Sequence, residues 1–261
     1  MPALQIATWN VNSLRARMPR FLPWLEAQRP DVVCLQETKV QDELFPREPL
    51  EDLGYQVEIH GQKTYNGVAI LSRHGMEDIV RGMPDDEPDE QRRVICATIG
   101  DLQVVNVYVV NGQSVGTDKY AYKLHWMERL HDFLDERYDM REKFLMTGDF
   151  NVTFDDRDVY DPRAWDGKVL CSDPERDALA KIMSCGLRDA LRKFTEASGQ
   201  FTWWDFRTAG FKRGLGMRID HFLMSDPALD ACSGVRIDRE ARDGLKPSDH
   251  APVIATVDVS L

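Results

Sequence analysis

The chain has 261 residues, 43% of them hydrophobic and 30% charged, a globular composition that excludes a collagenous or disordered chain. Its 33 basic and 44 acidic residues leave a net charge of −11, which argues against a protein coated in nucleic acid. No apolar run approaches the roughly 18–20 residues needed to cross a bilayer. In chain order the first element is a strand, Leu4–Asn10, with no export signal before it. A helix follows over Arg15–Gln28, with Phe21, Leu22 and Leu25 on one face. Short apolar runs then predict strands over Asp31–Glu37, Tyr55–His60, Gly67–Ser72, Val94–Ile99 and Leu102–Val109. Trp126, Met127, Leu130, Phe133 and Leu134 give helical spacing within Tyr120–Tyr138, and Lys143–Gly148 returns to strand. Asp173 followed by Pro174 opens a helix that closes before Gly186. Ile219–Met224, Val235–Asp238 and Val253–Val259 complete the strands.

About ten short strands are many for one open sheet, so the expected architecture is two packed sheets flanked by helices, an α/β (α+β) class. A single domain over residues 1–261 is expected, since no linker, repeat or low-complexity tract interrupts the chain. Cys34, Cys96, Cys171, Cys185 and Cys232 are odd in number and widely spaced, which fits free thiols in a reducing cytoplasm. The net charge does not forbid a local basic face, because acids gather apart from it. One group is Asp85, Asp86, Glu87, Asp89 and Glu90, and another is Asp155, Asp156, Asp158 and Asp161.

Polar residues recur where predicted strands end. Asn10 closes the first and Gln36-Glu37 the second, while Tyr108 with Asn111-Gly112 follows another. Gly148-Asp149-Phe150-Asn151 ends a further strand, Asp220 stands at the mouth of one, and Ser248-Asp249-His250 precedes the last. Any one of these fits a turn or a satisfied core residue. Six together point to a site gathered at one edge of a rigid scaffold. Oxygen-bearing side chains without a Cys/His cluster suit magnesium or manganese rather than zinc. A histidine among carboxylates suits proton transfer or stabilisation of a charged phosphate. Neither a G-x-x-x-x-G-K-[ST] loop nor a G-x-S-x-G elbow is present. What remains is attack of an activated water on a phosphate ester.

The segments Trp9-Asn10-Val11-Asn12-Ser13-Leu14-Arg15-Ala16-Arg17, Leu35-Gln36-Glu37-Thr38-Lys39, Gly148-Asp149-Phe150-Asn151, Arg218-Ile219-Asp220 and Pro247-Ser248-Asp249-His250-Ala251-Pro252 occur in this order. Together they resemble the exonuclease III / apurinic-apyrimidinic endonuclease family of the endonuclease–exonuclease–phosphatase superfamily, from residue 4 to about residue 258. Gly-Asp-Phe-Asn and Ser-Asp-His mark the superfamily only. Gln-Glu-Thr-Lys and the Asn-Ser-Leu-Arg-Ala-Arg start point to its DNA-repair branch.

The resemblance implies a four-layer sandwich of two mixed sheets and a magnesium-dependent cut 5′ to an abasic site in double-stranded DNA. It also implies work on blocked 3′ ends, as 3′-exonuclease, 3′-phosphatase or 3′-phosphodiesterase. By motif position, Glu37 is similar to the principal metal ligand, with Asn10 beside it and Asp249 near. Asp149 corresponds to the group that activates water, and Asn151 to its partner on the phosphate or water. His250 corresponds to a phosphate donor held charged by Asp220, and Tyr108 to a second phosphate contact. The resemblance assigns Trp203, Met217 and Ile219 to the pocket for the baseless sugar, and Asn111 joins the substrate-binding set. Candidate phosphate contacts are Arg15, Arg17, Lys39, Lys63, Arg92, Arg93, Lys119, Lys212, Arg213 and Arg218. Val110 stands where the family often has proline, and Met217 where it often has leucine or tryptophan.

Three alternatives stand beside this reading. One is a phospholipid or inositol-phosphate phosphodiesterase with the same Glu37, Asp149 and His250. Another is a binding protein that has lost catalysis, although every expected site residue is present. The third is an enzyme that is mainly a 3′–5′ exonuclease. A monomer without membrane attachment is expected.

Overall fold

The computed structural model describes residues 3–84 and 90–261, so the acids at 85, 86, 87 and 89 lie outside the described residues. In chain order the elements are β1 (Ala3–Asn10), α1 (Leu14–Gln28), β2 (Val32–Gln36), α2 (Glu48–Glu51), β3 (Gln56–His60), β4 (Val68–Ser72), β5 (Glu77–Arg81), β6 (Val94–Ile99) and β7 (Leu102–Tyr108). They continue as α3 (Asp118–Arg137), β8 (Lys143–Asp149), α4 (Pro162–Trp165), α5 (Asp173–Met183), β9 (Leu187–Asp189), β10 (Trp203–Trp204), α6 (Gly210–Arg213), β11 (Gly216–Met217), β12 (Asp220–Ser225), α7 (Asp226–Ala231), β13 (Cys232–Ile237) and β14 (Val253–Asp258).

Two six-stranded sheets form, in the orders β13-β14-β1-β2-β4-β3 and β5-β6-β7-β8-β12-β9. The alternation of each strand decides which residues face the other sheet. Leu4, Ile6, Val32 and Cys34 of one sheet meet Ile95, Val104, Leu145 and Phe222 of the other in a buried core. The opposite faces are covered by helices. Trp9, Val33 and Leu35 pack under Phe21, Trp24 and Leu25 of α1, while Val105, Phe144 and Met146 pack under Trp126, Leu130 and Leu179 of α3 and α5. The four-layer expectation therefore holds. Among the described residues no helix is long and apolar enough to cross a membrane.

The long helices follow their caps. Arg29 takes the left-handed conformation after α1, and its N–H reaches Leu25 O at 2.9 Å, which stops the helix before Pro30. α3 begins two residues before the apolar periodicity, because Thr117 caps it through the Tyr120 N–H. α5 is capped by Ser172 and not by Asp173. The Glu175 carboxylate receives the Ser172 N–H at 3.2 Å and its hydroxyl at 2.5 Å, and the helix ends at Met183.

Each sheet contains one parallel crossover, β1–α1–β2 and β7–α3–β8. Their strands end level with one another, Asn10 beside Gln36 and Tyr108 beside Asp149, and β12 brings Asp220 opposite Asp149. Beneath this edge a buried amide chain joins the sheets. Gln36 Nε2 donates to Thr8 Oγ1 at 2.9 Å and to Asn106 Oδ1 at 2.7 Å, and Asn106 Nδ2 donates to Leu35 O and Ala69 O. Gly148 is required where it stands. Its φ is +143°, and a Cβ there would lie 1.9 Å from Val107 O, on the neighbouring strand.

His221 faces away from the shared edge. Its Nε2–H donates to Val152 O at 2.8 Å and its ring lies between Phe150 and Phe154. Burial, with Arg218 nearby, lowers its pKa from 6.5 to about 4. A histidine kept neutral in the fold costs nothing above pH 6.5 and opposes folding increasingly as the pH falls toward 4. Stability to urea should therefore drop over that window, and His221→Asn should remove about 3 kcal/mol of the drop, the equivalent of its shift. An unchanged pH dependence in the variant would show that His221 does not titrate as argued.

Candidate active site

The strand ends gather the expected residues into one buried cluster. Glu37, Asp149 and His250 offer ligand atoms that all lie within 4.8 Å of one another. Asn10 links the two carboxylates, its amide N–H groups donating to Glu37 Oε1 and to Asp149 Oδ2, each at 2.8 Å. The other Glu37 oxygen meets Lys39 Nζ at 2.7 Å, and Lys39 also donates to Asn12 Oδ1. Backbone conformation helps to aim these groups, because Glu37, Lys39 and Asn151 all have positive φ, near +50°.

His250 stands between two acids. Its Nδ1 lies 2.9 Å from Asp220 Oδ2, and its Nε2 lies 3.7 Å from Asp149 Oδ2. Burial disfavours its charge, but Asp220 and Asp149 outweigh burial and raise its pKa to about 10. Burial raises Asp149 to about 7, opposed by His250 and reinforced by Asp220. The Tyr108 phenol is pushed well above its ordinary value, first by burial and then by the Glu37 charge.

Neighbouring backbone holds this geometry. Ser248 Oγ donates to Asn10 O at 2.6 Å, and Trp9 Nε1 donates to His250 O. Thr202 Oγ1 receives the N–H of both Ile219 and Asp220 at 3.1 Å, fixing the carboxylate behind His250. Asn151 Nδ2 donates to Val109 O, and its Oδ1 accepts from Asn111 Nδ2 at 2.9 Å. Beside Asn111 a cavity of about 430 Å³ opens, lined among others by Tyr65, Arg93, Gly112 and Lys119.

Several expected placements need correction. Arg218 is 1% exposed and forms ion pairs with Asp158 and Asp189, so it cannot meet a phosphate from solvent. Met217 and Ile219 are 0% and 1% exposed, covered in a cluster with Val159 and Leu170 against which Trp165, Val169 and Trp203 pack. In this conformation neither of the two walls an open pocket. Trp203 is half-buried and gives its indole N–H to Asp249 Oδ2 at 3.0 Å. Asp249 is thereby held by Trp203 and Asn12 and stands outside the Glu37–Asp149–His250 group. Arg93 is buried, with its guanidinium 4.6 Å over the Tyr108 ring and bonded to Tyr108 O, where it steadies that tyrosine. Arg15, Lys63, Arg92, Lys119, Lys212 and Arg213 are exposed as expected, and Arg17 and Lys39 are partly so.

Sequence reasoning did not select Asn12, Asn106, Lys123, Glu175 or Thr202 for the site. Asn12 lay within a recognised motif, whereas Asn106 and Lys123 sit inside runs whose pattern reads only as strand or helix, and Thr202 lies in an irregular stretch before Trp203.

A model described as the Endonuclease/Exonuclease/phosphatase family matches residues 7–250, an interval that includes the cluster from Asn10 to His250. The chain belongs to this family. Within the endonuclease/exonuclease/phosphatase family it falls in the exonuclease III / AP endonuclease branch, and it is a hydrolase of the nuclease type. It is 37% identical to exodeoxyribonuclease III of Haemophilus influenzae, with 97% of this chain and 99% of that protein covered. Among solved structures of the same family, a 3′ phosphatase from Neisseria bound to product DNA hairpin matches with a TM-score of 0.94 and 42% identity, covering 98% of this chain and 99% of that one. An AP endonuclease from Archaeoglobus fulgidus matches with a TM-score of 0.94 and 39% identity, covering 98% and 100%.

Proposed function

We propose that this DNA-repair nuclease hydrolyses the backbone of double-stranded DNA 5′ to abasic sites and removes blocking groups from 3′ ends. The observation that carries the reading is the convergence of Glu37, Asp149 and His250, with Asp220 behind the histidine. Burial, reinforced by Asp220, lifts the Asp149 carboxyl above the ordinary carboxylate range, which suits it to taking a proton from an attacking water. His250, kept protonated, supplies a charged donor to the phosphate oxygen on which charge develops. Asn151 and Tyr108 add neutral donors on the side of Val109. Exposed Arg15, Lys63, Arg92 and Lys119 supply the local basic surface that the net charge of −11 conceals.

A divalent cation fits the cluster. Glu37, Asp149 and Asp220 bring three carboxylates to a buried edge, and the donors are predominantly oxygen, as a hard cation requires. Glu37, with Asn10 beside it, would hold magnesium, with manganese as a substitute. Such an ion neutralises charge on the phosphate oxygens. A cytoplasmic monomer acting on DNA is the corresponding setting.

One observation weights the reading toward 3′ ends. The cover of Trp165, Val169 and Trp203 over Met217 and Ile219 leaves no open recess at those residues for an extruded sugar, whereas a terminal 3′-phosphate needs no extrusion. The 3′ phosphatase named above is 42% identical.

The test is a side-by-side rate on a duplex with one internal abasic site and on a nicked duplex with a 3′-phosphate, each with magnesium and with EDTA. Both substrates should be processed with magnesium and neither with EDTA. Glu37→Gln should raise the magnesium concentration for half-maximal rate by at least about tenfold, the scale of losing about 1.4 kcal/mol of binding. Full activity in EDTA would overturn the metal assignment, and failure on both substrates would overturn the proposed reaction.

A further inference from the structure

Lys123 of α3 is a helical lysine with no solvent exposure at all, and its partner Glu175 of α5 is equally buried. Burying two charges is costly, and an apolar pair of similar volume is often at least as stable. This pair stands against the edge that carries the catalytic cluster. Lys123 Nζ donates to Glu175 Oε1 at 2.5 Å and to Asn151 O at 2.6 Å, and it lies 3.4 Å from Asn111 O. Its aliphatic stem underlies Gly112, where an added Cβ would lie 3.0 Å from Lys123 Cδ. Glu175 collects the Leu170 N–H and both Ser172 donors, and Tyr120 of α3 closes the ring on Ser172 Oγ at 2.7 Å.

One ammonium donor is thus spent on the Glu175 carboxylate and the others face backbone carbonyls, of Asn151 at 2.6 Å and of Asn111 at 3.4 Å. The backbone chiefly held is that of Asn151, a non-glycine residue with φ of +50° whose N–H donates to Asp149 Oδ1 at 2.9 Å and whose side chain bonds Asn111 and Val109 O. Leu170, at the other end of the network, belongs to the group covering Met217 and Ile219. From this geometry we propose that Lys123 and Glu175 are positioning residues, a charged brace that fixes the Asn151 peptide and ties it to the covering segment at Leu170. The proposal rests on the reading of Asn151 as a phosphate-side donor.

The brace acts through placement, so its removal should lower turnover and leave DNA affinity alone. A displacement of about 1 Å at a reacting group costs on the order of 10²-fold. Single removal of either partner strands a buried charge and endangers folding, so the informative variant is the double replacement Lys123→Met with Glu175→Met. Its melting temperature should fall somewhat, because Glu175 also accepts the Leu170 and Ser172 N–H groups, so turnover is compared well below the unfolding transition. Its kcat should fall by about 10- to 100-fold, with KM and the DNA dissociation constant within about threefold. The decisive measurement repeats the double replacement in an Asn151→Ala background. If the brace works through Asn151, it should cost little more there, because the two losses share one cause. Losses that multiply, or a decline that tracks the melting temperature, would make the pair merely structural and overturn the proposal. A fully active double replacement would overturn it too. In either case an impaired Asn151→Ala leaves the site reading intact, whereas normal turnover in Asn151→Ala would overturn that reading and the brace together. If the double replacement does not fold, Lys123→Arg, which keeps the buried charge, supplies the second test. It should retain stability and lose turnover, because a planar fork cannot reproduce the ammonium's contacts. Unchanged turnover in Lys123→Arg would overturn the proposal.

Discussion

Asp149→Asn and His250→Asn should each slow turnover by at least about 10²-fold while DNA binding persists, the lower bound for losing a positioned acid–base group. Asp149 sits within the cluster, with one oxygen tied to Asn10 and the other accepting the Asn151 N–H. An asparagine preserves the shape and removes the proton acceptor. For His250 the argument is electrostatic, because Asp220 and Asp149 hold the imidazole charged, and asparagine supplies a donor without that charge. Single-turnover rates with saturating enzyme separate the chemical step from binding, and fluorescence anisotropy reports the grip on DNA. Near-normal single-turnover rates in either variant would remove that residue from the chemistry.

Arg218→Met should lower stability by about 3 kcal/mol, the lower end for breaking a buried pair, because Asp189 loses its cation and buried Asp158 keeps only Arg192. Arg218 is bound on both sides, to Asp158 through Nε and Nη2 at 2.8 and 2.9 Å and to Asp189 through Nη1 and Nη2 at 3.0 and 2.6 Å. For a chain of this size the melting temperature should fall by on the order of 10 °C. The salt dependence of DNA binding should stay the same, which separates this buried role from that of a phosphate contact. A flattened salt slope with unchanged melting would restore the phosphate role that the motif suggests.

The fate of Arg218 marks where sequence reading stops. Its partners lie 60 and 29 positions away, and nothing local distinguishes a cation clamped by such acids from one on the surface. The candidate cluster was legible for the opposite reason. Each member sits just after or just before an apolar run, which puts it at a strand end, and the number of such ends argues convergence. The two-layered strand pattern was legible likewise. β10 and β11 were not, since two residues carry no period, and β5 was masked by Glu77, Asp78 and Arg81 along an exposed edge. Lys123 was hidden in plain helical spacing: its burial comes from α5 packing on α3, which one helix cannot disclose. The covering of Met217 and Ile219 depends on the turn-rich stretch from Val159 to Cys171, whose course follows hydrogen bonds and not hydropathy.

The pairing of β1 with β14, Leu4 beside Val257 and Thr8 beside Val253, bears on how activity emerges during synthesis. β1 is made long before β14, so this contact is distant in sequence and belongs to the slow, non-local class of folding events. His250 is delivered by the same final segment, and Ser248 fastens it to Asn10 at the end of β1. A nascent chain can therefore carry Glu37 and then Asp149 before His250 is made and the cluster can assemble. Under the function proposed above, cleavage at this cluster would wait for β14 to dock against β1.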